Sequence, residues 1–348
     1  MKNLYAVAMS GGVDSSTVAA ILKNEGHDIF GITMLIHEYS ESSIINAKKV
    51  CEKLGIQHFI LDVKTEFKKY VMDTFVDYYA NGFTPNPCVF CNRDIKLNLL
   101  LHFAKEKGAD LMATGHYANL NVDINKVILS EARNKSKDQS YFLSLVNREN
   151  LKYVRFPLGN ITDKSETRKI AASFGLHNFE KKDSQDICFI PSNNYKEFLK
   201  SYCPKKHLFQ EGNIKLLNTE KTIGKHNGIA NYTIGQRKGL GIAYEKPLYV
   251  IKINSQQNEI IVGTKEHLER KSFCISNTNW ILDYPDVFEG YVKLRSFAKK
   301  TKAKITKQDN SKTSIEFLEN SLVPVTNGQI CAIYNYSNEV IGAGIICS

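Results

Sequence analysis

Short apolar runs alternate with amphipathic stretches over the first third of the chain. Residues 4–9, 29–36, 58–62 and 111–114 are blocks of aliphatic and β-branched character, short enough for strands. Between them, apolar positions recur at three- and four-residue spacing over 16–24, 44–54 and 95–107. That spacing predicts helices, closed by Gly26, Gly55 and Gly108. The β-α-β-α rhythm predicts an α/β fold with a doubly wound parallel sheet and helices on both faces. Right-handed crossovers would bring the carboxyl ends of the strands to one edge, where ligands bind.

The pattern changes after about residue 200. Residues 224–237 are rich in glycine and polar side chains. From Pro247 onward short alternating runs dominate, at 248–253, 259–262, 291–294, 313–317, 329–334 and 340–346. Evenly spaced strands of this kind predict a small β-barrel or sandwich. The expected organisation is a catalytic α/β domain over 1–203, a small central domain over 204–270 and a C-terminal β-barrel over 271–348. A length of 348 residues fits two or three domains, and 43% apolar with 24% charged residues fits a folded globular chain. Met1-Lys2-Asn3-Leu4 runs straight into an apolar strand with no cleavable hydrophobic region, and no apolar run is long enough to span a bilayer. The expectation is a cytoplasmic protein with no membrane partner. Eight cysteines in such a chain argue against a disulfide scaffold, and Cys51, Cys203, Cys274, Cys331 and Cys347 read as buried small hydrophobes. The net charge of +10 suits a polyanion such as nucleic acid, and suits a lysine-rich surface without a partner equally well.

Candidate chemistry starts at Ser10-Gly11-Gly12-Val13-Asp14-Ser15, between the first strand and the first helix. Two glycines allow a tight turn that aims successive N–H groups at an anion. Ser15 and Ser16 stand where the unpaired amides of the helix start attract phosphate. The Gly-Lys-Ser/Thr ending of a Walker loop is missing, so γ-phosphate transfer is not the natural inference. The loop resembles the PP-loop of ATP pyrophosphatases, which cleave between the α- and β-phosphates.

Further along, Thr84-Pro85-Asn86-Pro87-Cys88-Val89-Phe90-Cys91-Asn92-Arg93 stiffens an extended loop with two prolines and delivers two thiols to the next helix. The helix dipole there favours thiolate at Cys91. A Cys-x-x-Cys pair alone reads equally as half of a zinc site or as a buried pair, and no second Cys-x-x-Cys or His-x-x-x-His follows to complete a zinc site. A third segment, Asp183-Ser184-Gln185-Asp186-Ile187-Cys188-Phe189-Ile190, holds a cysteine that alone reads as core. It gains meaning if the fold brings it to Cys91, because a sulfur-carrying thiol needs a partner to resolve the disulfide.

Together these segments resemble one family along almost the whole chain, the tRNA-specific 2-thiouridylases, which install sulfur on the wobble uridine. The resemblance continues through Thr114-Gly115-His116-Tyr117, Lys137-Asp138-Gln139-Ser140-Tyr141-Phe142-Leu143, Phe156-Pro157-Leu158-Gly159 and Tyr232-Thr233-Ile234-Gly235-Gln236-Arg237-Lys238-Gly239-Leu240-Gly241. It implies ATP binding by Ala8, Met9, Ser10, Gly11, Gly12, Val13, Asp14 and Ser15, with Met34 and Gly115 bordering the adenosine. Mg2+ would accompany the nucleotide, with Asp14 a candidate to hold the metal or the pyrophosphate. It also implies a persulfide on Cys188, a catalytic nucleophile at Cys91, and tRNA contact by Asn86, Pro87, Cys88, Lys137, Asp138, Gln139, Arg295 and Ser296. In the implied reaction the flipped-out uridine is adenylated at its C2 oxygen. Persulfide sulfur then displaces AMP, directly or after Cys91 frees it as hydrosulfide. A Cys91–Cys188 disulfide remains for a reductant, and a cysteine desulfurase or sulfur-relay protein supplies the sulfur.

Two positions depart from the family pattern. Cys88 stands where an aspartate is usual, so its chemistry as an acid or base differs, and Cys88, Cys91 and Cys188 become three thiols able to ligate an iron–sulfur cluster. In Thr326-Asn327-Gly328-Gln329, asparagine replaces a proline before the glycine, which bears only on local rigidity. Rival readings are another PP-loop adenylating enzyme, and an iron–sulfur RNA-binding protein whose loop only senses nucleotide. His116 reads as a hydrogen-bonded loop residue rather than a metal ligand. Lys137, Lys299, Lys300 and Lys302 read as phosphate contacts or as solvated surface. Phe83, Phe90 and Tyr117 read as stacking platforms for an extruded base or as cover for the sheet edge.

Overall fold

A computed structural model of the chain describes residues 2–37, 40–124, 126–178, 187–190, 194–203, 206–219, 221–308, 312–321 and 323–347. Its first unit contains β1 (Leu4–Ala8), α1 (Val13–Asn24), β2 (Asp28–Leu35), α2 (Glu41–Leu54), β3 (His58–Asp62) and β4 (Leu111–Ala113). A hairpin of β5 (Ala118–Asp123) and β6 (Lys126–Glu131) follows, then β7 (Val154–Arg155). The main sheet runs β3-β2-β1-β4-β7, parallel throughout. The two-residue period of β1 serves both faces. Tyr5 and Val7 pack with Val18, Ala19 and Val50 of α1 and α2, while Ala6 packs with Phe30, Leu100 and Leu101 on the opposite side. Gly55 closes α2 at φ +61°, the left-handed cap expected of it.

The helix predicted over 95–107 is a different object. It begins at Pro87, whose missing N–H costs nothing at a first helical position, with a single turn over Pro87–Phe90. A π-helix follows over Cys91–Leu99, with Leu97 displaced to φ −101° and ψ 20°, and the α-helical register resumes over Leu100–Glu106. Apolar spacing near 3.6 shows no i→i+5 register, so the π segment is invisible to periodicity.

The next sheet consists of β8 (Gly212–Leu216), β9 (Thr222–His226), β10 (Tyr249–Asn254) and β11 (Glu259–Gly263), in the order β10-β11-β8-β9. Strand β9 ends inside the stretch that reads as glycine-rich and polar. Then β12 (Ser272–Trp280), β13 (Val287–Lys293), β14 (Thr301–Lys307), β15 (Thr313–Phe317), β16 (Ile330–Tyr334) and β17 (Val340–Ile346) close into a barrel, not a sandwich. In β14, Thr301, Ala303 and Ile305 are buried and Lys302 and Lys304 exposed, an alternation carried by side chains too short or polar to signal a strand. Strand β16 is buried on both sides. Cys331 and Ile333 fill the barrel, whereas Ile330, Ala332 and Tyr334 join the core of the first unit. Of the five cysteines read as core, Cys51 and Cys331 are buried, Cys203 and Cys274 half-buried, and Cys347 exposed near the chain end. No helix among the described residues is long and apolar enough to cross a membrane.

Candidate active site

The loop after β1 is built for close approach. Gly11 has φ +70°, and a β-carbon there would lie 2.5 Å from the Ser43 carbonyl oxygen. The Ser10 amide donates to Ser15 Oγ at 3.1 Å, and the Ser15 and Ser16 hydroxyls donate to the Gly12 carbonyl at 3.2 and 2.9 Å. Gly12 caps α1 without a side-chain oxygen, so the amides at Val13, Asp14 and Ser15 are left for an external anion. Ala8 ends the strand and Met9 follows it, with the Met9 amide on the Ile32 carbonyl. Gly115 presses on the loop from the end of β4, where a β-carbon would sit 2.9 Å from both Asp14 Cβ and the Ser15 nitrogen. Met34 is half-buried near the end of β2.

Partners distant in sequence hold the Asp14 carboxylate. Oδ1 accepts from the Tyr117 hydroxyl at 2.8 Å and is ion-paired with Lys164. Tyr117 in turn meets Thr167 at 2.9 Å. Lys164 and Thr167 lie on the helix Lys164–Ser173, which Asp163 caps by accepting from the Ser165 amide. Asn178 donates to the Gly11 carbonyl and to Ser16 Oγ. Lys164, Thr167 and Asn178 were missed in the sequence. The only signal there was a capped amphipathic helix, which says nothing of its partner.

The cysteine segments converge. Cys91 and Ile95 share a core with Phe189 and Ile190, the neighbours of Cys188. Phe189 is clamped edge-on among Phe67, Phe75 and Phe198 with ring centres 5.1–5.7 Å apart, and the Ile190 amide closes a turn on the Ile187 carbonyl. This turn presents Cys188 to solvent, and His37 beyond β2 hydrogen-bonds its carbonyl at 3.3 Å. The residues 183–186 of that motif lie outside the described residues. Cys88 is exposed and Cys91 buried, and all eight thiols are free. Desolvation pushes Cys91 up to about 12 and Cys188 up to about 11, and raises Cys88. Burial dominates in all three; the ammonium of Lys96 opposes it, joined at Cys188 by hydrogen bonds from the Cys188 and Phe189 backbone. Among the described residues no group of three or more His, Cys, Asp or Glu is placed to hold a metal ion.

Three family models match in succession: a tRNA methyl transferase HUP domain over residues 3–192, a tRNA methyl transferase PRC-barrel domain over 196–264 and an aminomethyltransferase β-barrel domain over 270–346. A tRNA-specific 2-thiouridylase of Rickettsia prowazekii is 44% identical, covering 98% of this chain and 98% of its own length. That of Rickettsia peacockii is 44% identical over 99% and 97%. The chain belongs to the tRNA-specific 2-thiouridylase family. Among solved structures, an NH3-dependent NAD synthetase of Campylobacter jejuni aligns with 51% of this chain and 66% of its own, at 20% identity and a TM-score of 0.33.

The positions that the 2-thiouridylase resemblance assigns to tRNA fall into two linked groups. Asn86 hydrogen-bonds the hydroxyl of Tyr141, which also donates to the Ile330 carbonyl and lies near Arg295. Arg295 donates to Thr326 at 3.1 Å, and the Asn327 carbonyl accepts from the Thr84 amide at 2.9 Å. The barrel therefore buttresses the loop carrying Pro87 and Cys88. In the second group the side chain of Asp138, 3% exposed, accepts from the amides of Ala132 and Ser140 and pairs with Lys293 at 3.7 Å. Gln139 accepts from the Tyr117 amide at 2.9 Å. Both side chains shape the turn, and Lys137 beside them is half-buried. Ser296 is half-buried in the loop after β13, next to Phe297, which is 90% exposed. Lys300 pairs with Glu131 at 2.9 Å, while Lys299 and Lys302 are exposed.

The aromatic candidates divide in the same way. Phe90 is buried under Arg93 and against Tyr78, and Tyr117 is buried on Asp14, so both pack. Phe83 is 40% exposed at the rim. His116 is buried, bonded to Thr114 at 2.7 Å, and pushed down to about 3 by desolvation and then by Lys96, which leaves it neutral.

Proposed function

We propose that the chain catalyses ATP-dependent 2-thiolation of the wobble uridine of tRNA. The observation that supports this most is the meeting of the Cys91 and Cys188 segments beyond the carboxyl edge of the sheet that also carries the phosphate loop. The amides at the start of α1 bind the phosphates of ATP, and Lys164 and Tyr117 orient Asp14 beside them. Magnesium bound with the nucleotide would neutralise phosphate charge. Asp14, whose Oδ1 is held by Tyr117 and Lys164, is the carboxylate that would hold it. The uridine C2 oxygen attacks the α-phosphorus and pyrophosphate leaves.

The terminal sulfur of a Cys188 persulfide then attacks C2, and AMP departs with its oxygen. Cys91 thiolate attacks Cys188 Sγ, releasing the sulfur to the base and leaving a Cys91–Cys188 disulfide. Attack by Cys91 before transfer would release hydrosulfide and leave the same disulfide. Two electrons from an external thiol restore the enzyme, and a cysteine desulfurase or relay protein reloads Cys188. Nucleoside mass spectrometry after incubation with tRNA, ATP and a persulfide donor tests this. We expect 2-thiouridine and AMP in equal amounts, and folded, persulfide-loaded protein that makes neither would refute it. The rival reading, an iron–sulfur cluster on Cys88, Cys91 and Cys188, is opposed by the finding that no three such groups among the described residues are placed to hold a metal ion. Visible absorbance and iron analysis of anaerobically purified protein distinguish the two.

A further inference from the structure

Asp138 sits in the turn that the 2-thiouridylase resemblance assigns to tRNA, yet its carboxylate faces inward. The side chain is buried, with Oδ1 accepting from the amides of Ala132 and Ser140 at 3.0 and 3.1 Å and Oδ2 from the Ser140 hydroxyl at 2.9 Å. What this half-buried residue still exposes is therefore mostly backbone. An anion is also poorly suited to RNA: turned outward, it would repel the phosphates that Lys137 beside it attracts. The counter-ion of Asp138 comes from the barrel. Lys293 ends β13, is itself buried, and holds its ammonium 3.7 Å from Asp138 Oδ2. Among the described residues no other carboxylate pairs with it. Further contacts seat the same turn on β16: Ser140 Oγ lies 3.1 Å from the Tyr334 hydroxyl, and the Tyr141 hydroxyl donates to the Ile330 carbonyl at 2.9 Å. On its other side Gln139 exchanges two hydrogen bonds with the Tyr117 backbone, at 2.8 and 2.9 Å, and the Tyr117 hydroxyl reaches Asp14 of the phosphate loop. The turn is thus held between the barrel and the nucleotide loop, with the Lys293–Asp138 pair as a charged tie on the barrel side.

We propose that Asp138 and Lys293 are positioning residues. Together they set the turn 137–140 against the barrel, so that tRNA meets Lys137 and the backbone of the turn, while the Asp138 carboxylate makes no contact with RNA. This rests on the reading of tRNA as the substrate and adds to it a barrel residue that acts only through its partner. A buried ion pair contributes little net stability, but removing one partner strands the other charge away from water. The effects of removing the two charges are therefore not additive, and that non-additivity separates positioning from contact.

Asp138→Asn, Lys293→Met and the double variant, each in the full-length protein, complete the test. Hydrogen exchange of the Ala132 and Ser140 amides, measured without tRNA or ATP, reads the turn, and filter binding reads tRNA affinity. Asp138→Asn strands the Lys293 ammonium, so exchange at both amides should accelerate about tenfold or more and tRNA affinity should fall about tenfold. Adding Lys293→Met removes the stranded charge and should recover most of both losses. A carboxylate that touched RNA would lose the same affinity whether or not buried Lys293 is charged. Equal losses in Asp138→Asn and the double variant, or native behaviour of folded Asp138→Asn, overturn the proposal. Accelerated exchange with unchanged tRNA affinity would make the pair structural only and overturns it as well. Should Asp138→Asn not fold, Lys293→Met alone carries the test, and native exchange at Ala132 and Ser140 in that variant refutes the positioning role. Native protein that binds no tRNA would count against the substrate reading alone, while the exchange cycle still decides whether the pair sets the turn.

Discussion

Replacing Gly11 by alanine tests whether the phosphate loop is held by backbone geometry, with Gly12→Ala as the matched control. At Gly11 the new methyl would sit 2.5 Å from the Ser43 carbonyl oxygen, far inside contact, on a backbone at φ +70°. The left-handed conformation costs an L-residue about 1–2 kcal/mol. Relieving the overlap adds about 1–3 kcal/mol, because both the loop and α2 are packed. At Gly12 the backbone is extended, with φ −93° and ψ 166°, and the methyl meets only Ser10 Oγ at 3.4 Å. That change should cost no more than about 0.5 kcal/mol. Amide hydrogen exchange over residues 9–16 reads the local opening directly. A loss of about 2 kcal/mol or more corresponds to exchange accelerated at least tenfold in Gly11→Ala, with Gly12→Ala near the native rate. ATP affinity by calorimetry should fall with the loop in Gly11→Ala. Native exchange and native ATP affinity in that variant would refute the claim that the close approach to Ser43 shapes the site.

Asp14→Ala and Ser10→Ala should abolish ATP-dependent adenylation while tRNA binding survives, and equal loss of tRNA affinity in filter binding would place the loop on the RNA surface. Affinity for tRNA should fall steeply with salt, and Arg295→Ala should weaken it with little change in ATP affinity; a flat salt dependence would count against phosphate contacts. Cys188→Ser should lose thiolation but still adenylate tRNA, Cys91→Ser should load a persulfide yet fail in transfer, and Cys88→Ser should keep partial activity. Full thiolation by Cys188→Ser, read by nucleoside mass spectrometry, would sink the mechanism. Burial raises Cys51 to about 12, so the folded chain keeps a proton there that the unfolded chain releases near pH 8.5. Its contribution is complete below that value and is lost as pH rises toward 12, by about 1.4 kcal/mol per unit. Thermal melting should therefore fall with alkaline pH, and less steeply in Cys51→Ala; identical slopes would show that Cys51 is not the group responsible.

Local chemistry was legible along the chain wherever one residue's preference and its near neighbours decide the outcome. The alternation of β1 with α1, the glycine turn at Gly11 and the cap at Gly55 follow from sterics and hydrogen bonding within a few residues. So do the clean strands Thr313–Phe317 and Val340–Ile346. Strands β12 and β14 escaped notice because barrel walls need only one apolar face, and Thr, Ala, Ser and Lys supply it weakly. Other features depend on which surfaces meet. Lys164 reaches Asp14, and the Cys188 turn reaches Cys91, only because helices and aromatic rings distant in sequence pack together. The π segment over Cys91–Leu99 is likewise hidden in the sequence, since a one-residue bulge leaves the spacing of apolar positions almost unchanged. The chain itself carries the loop and the thiols; their distances, their partners and the charge that faces them arise only when remote surfaces are buried against one another.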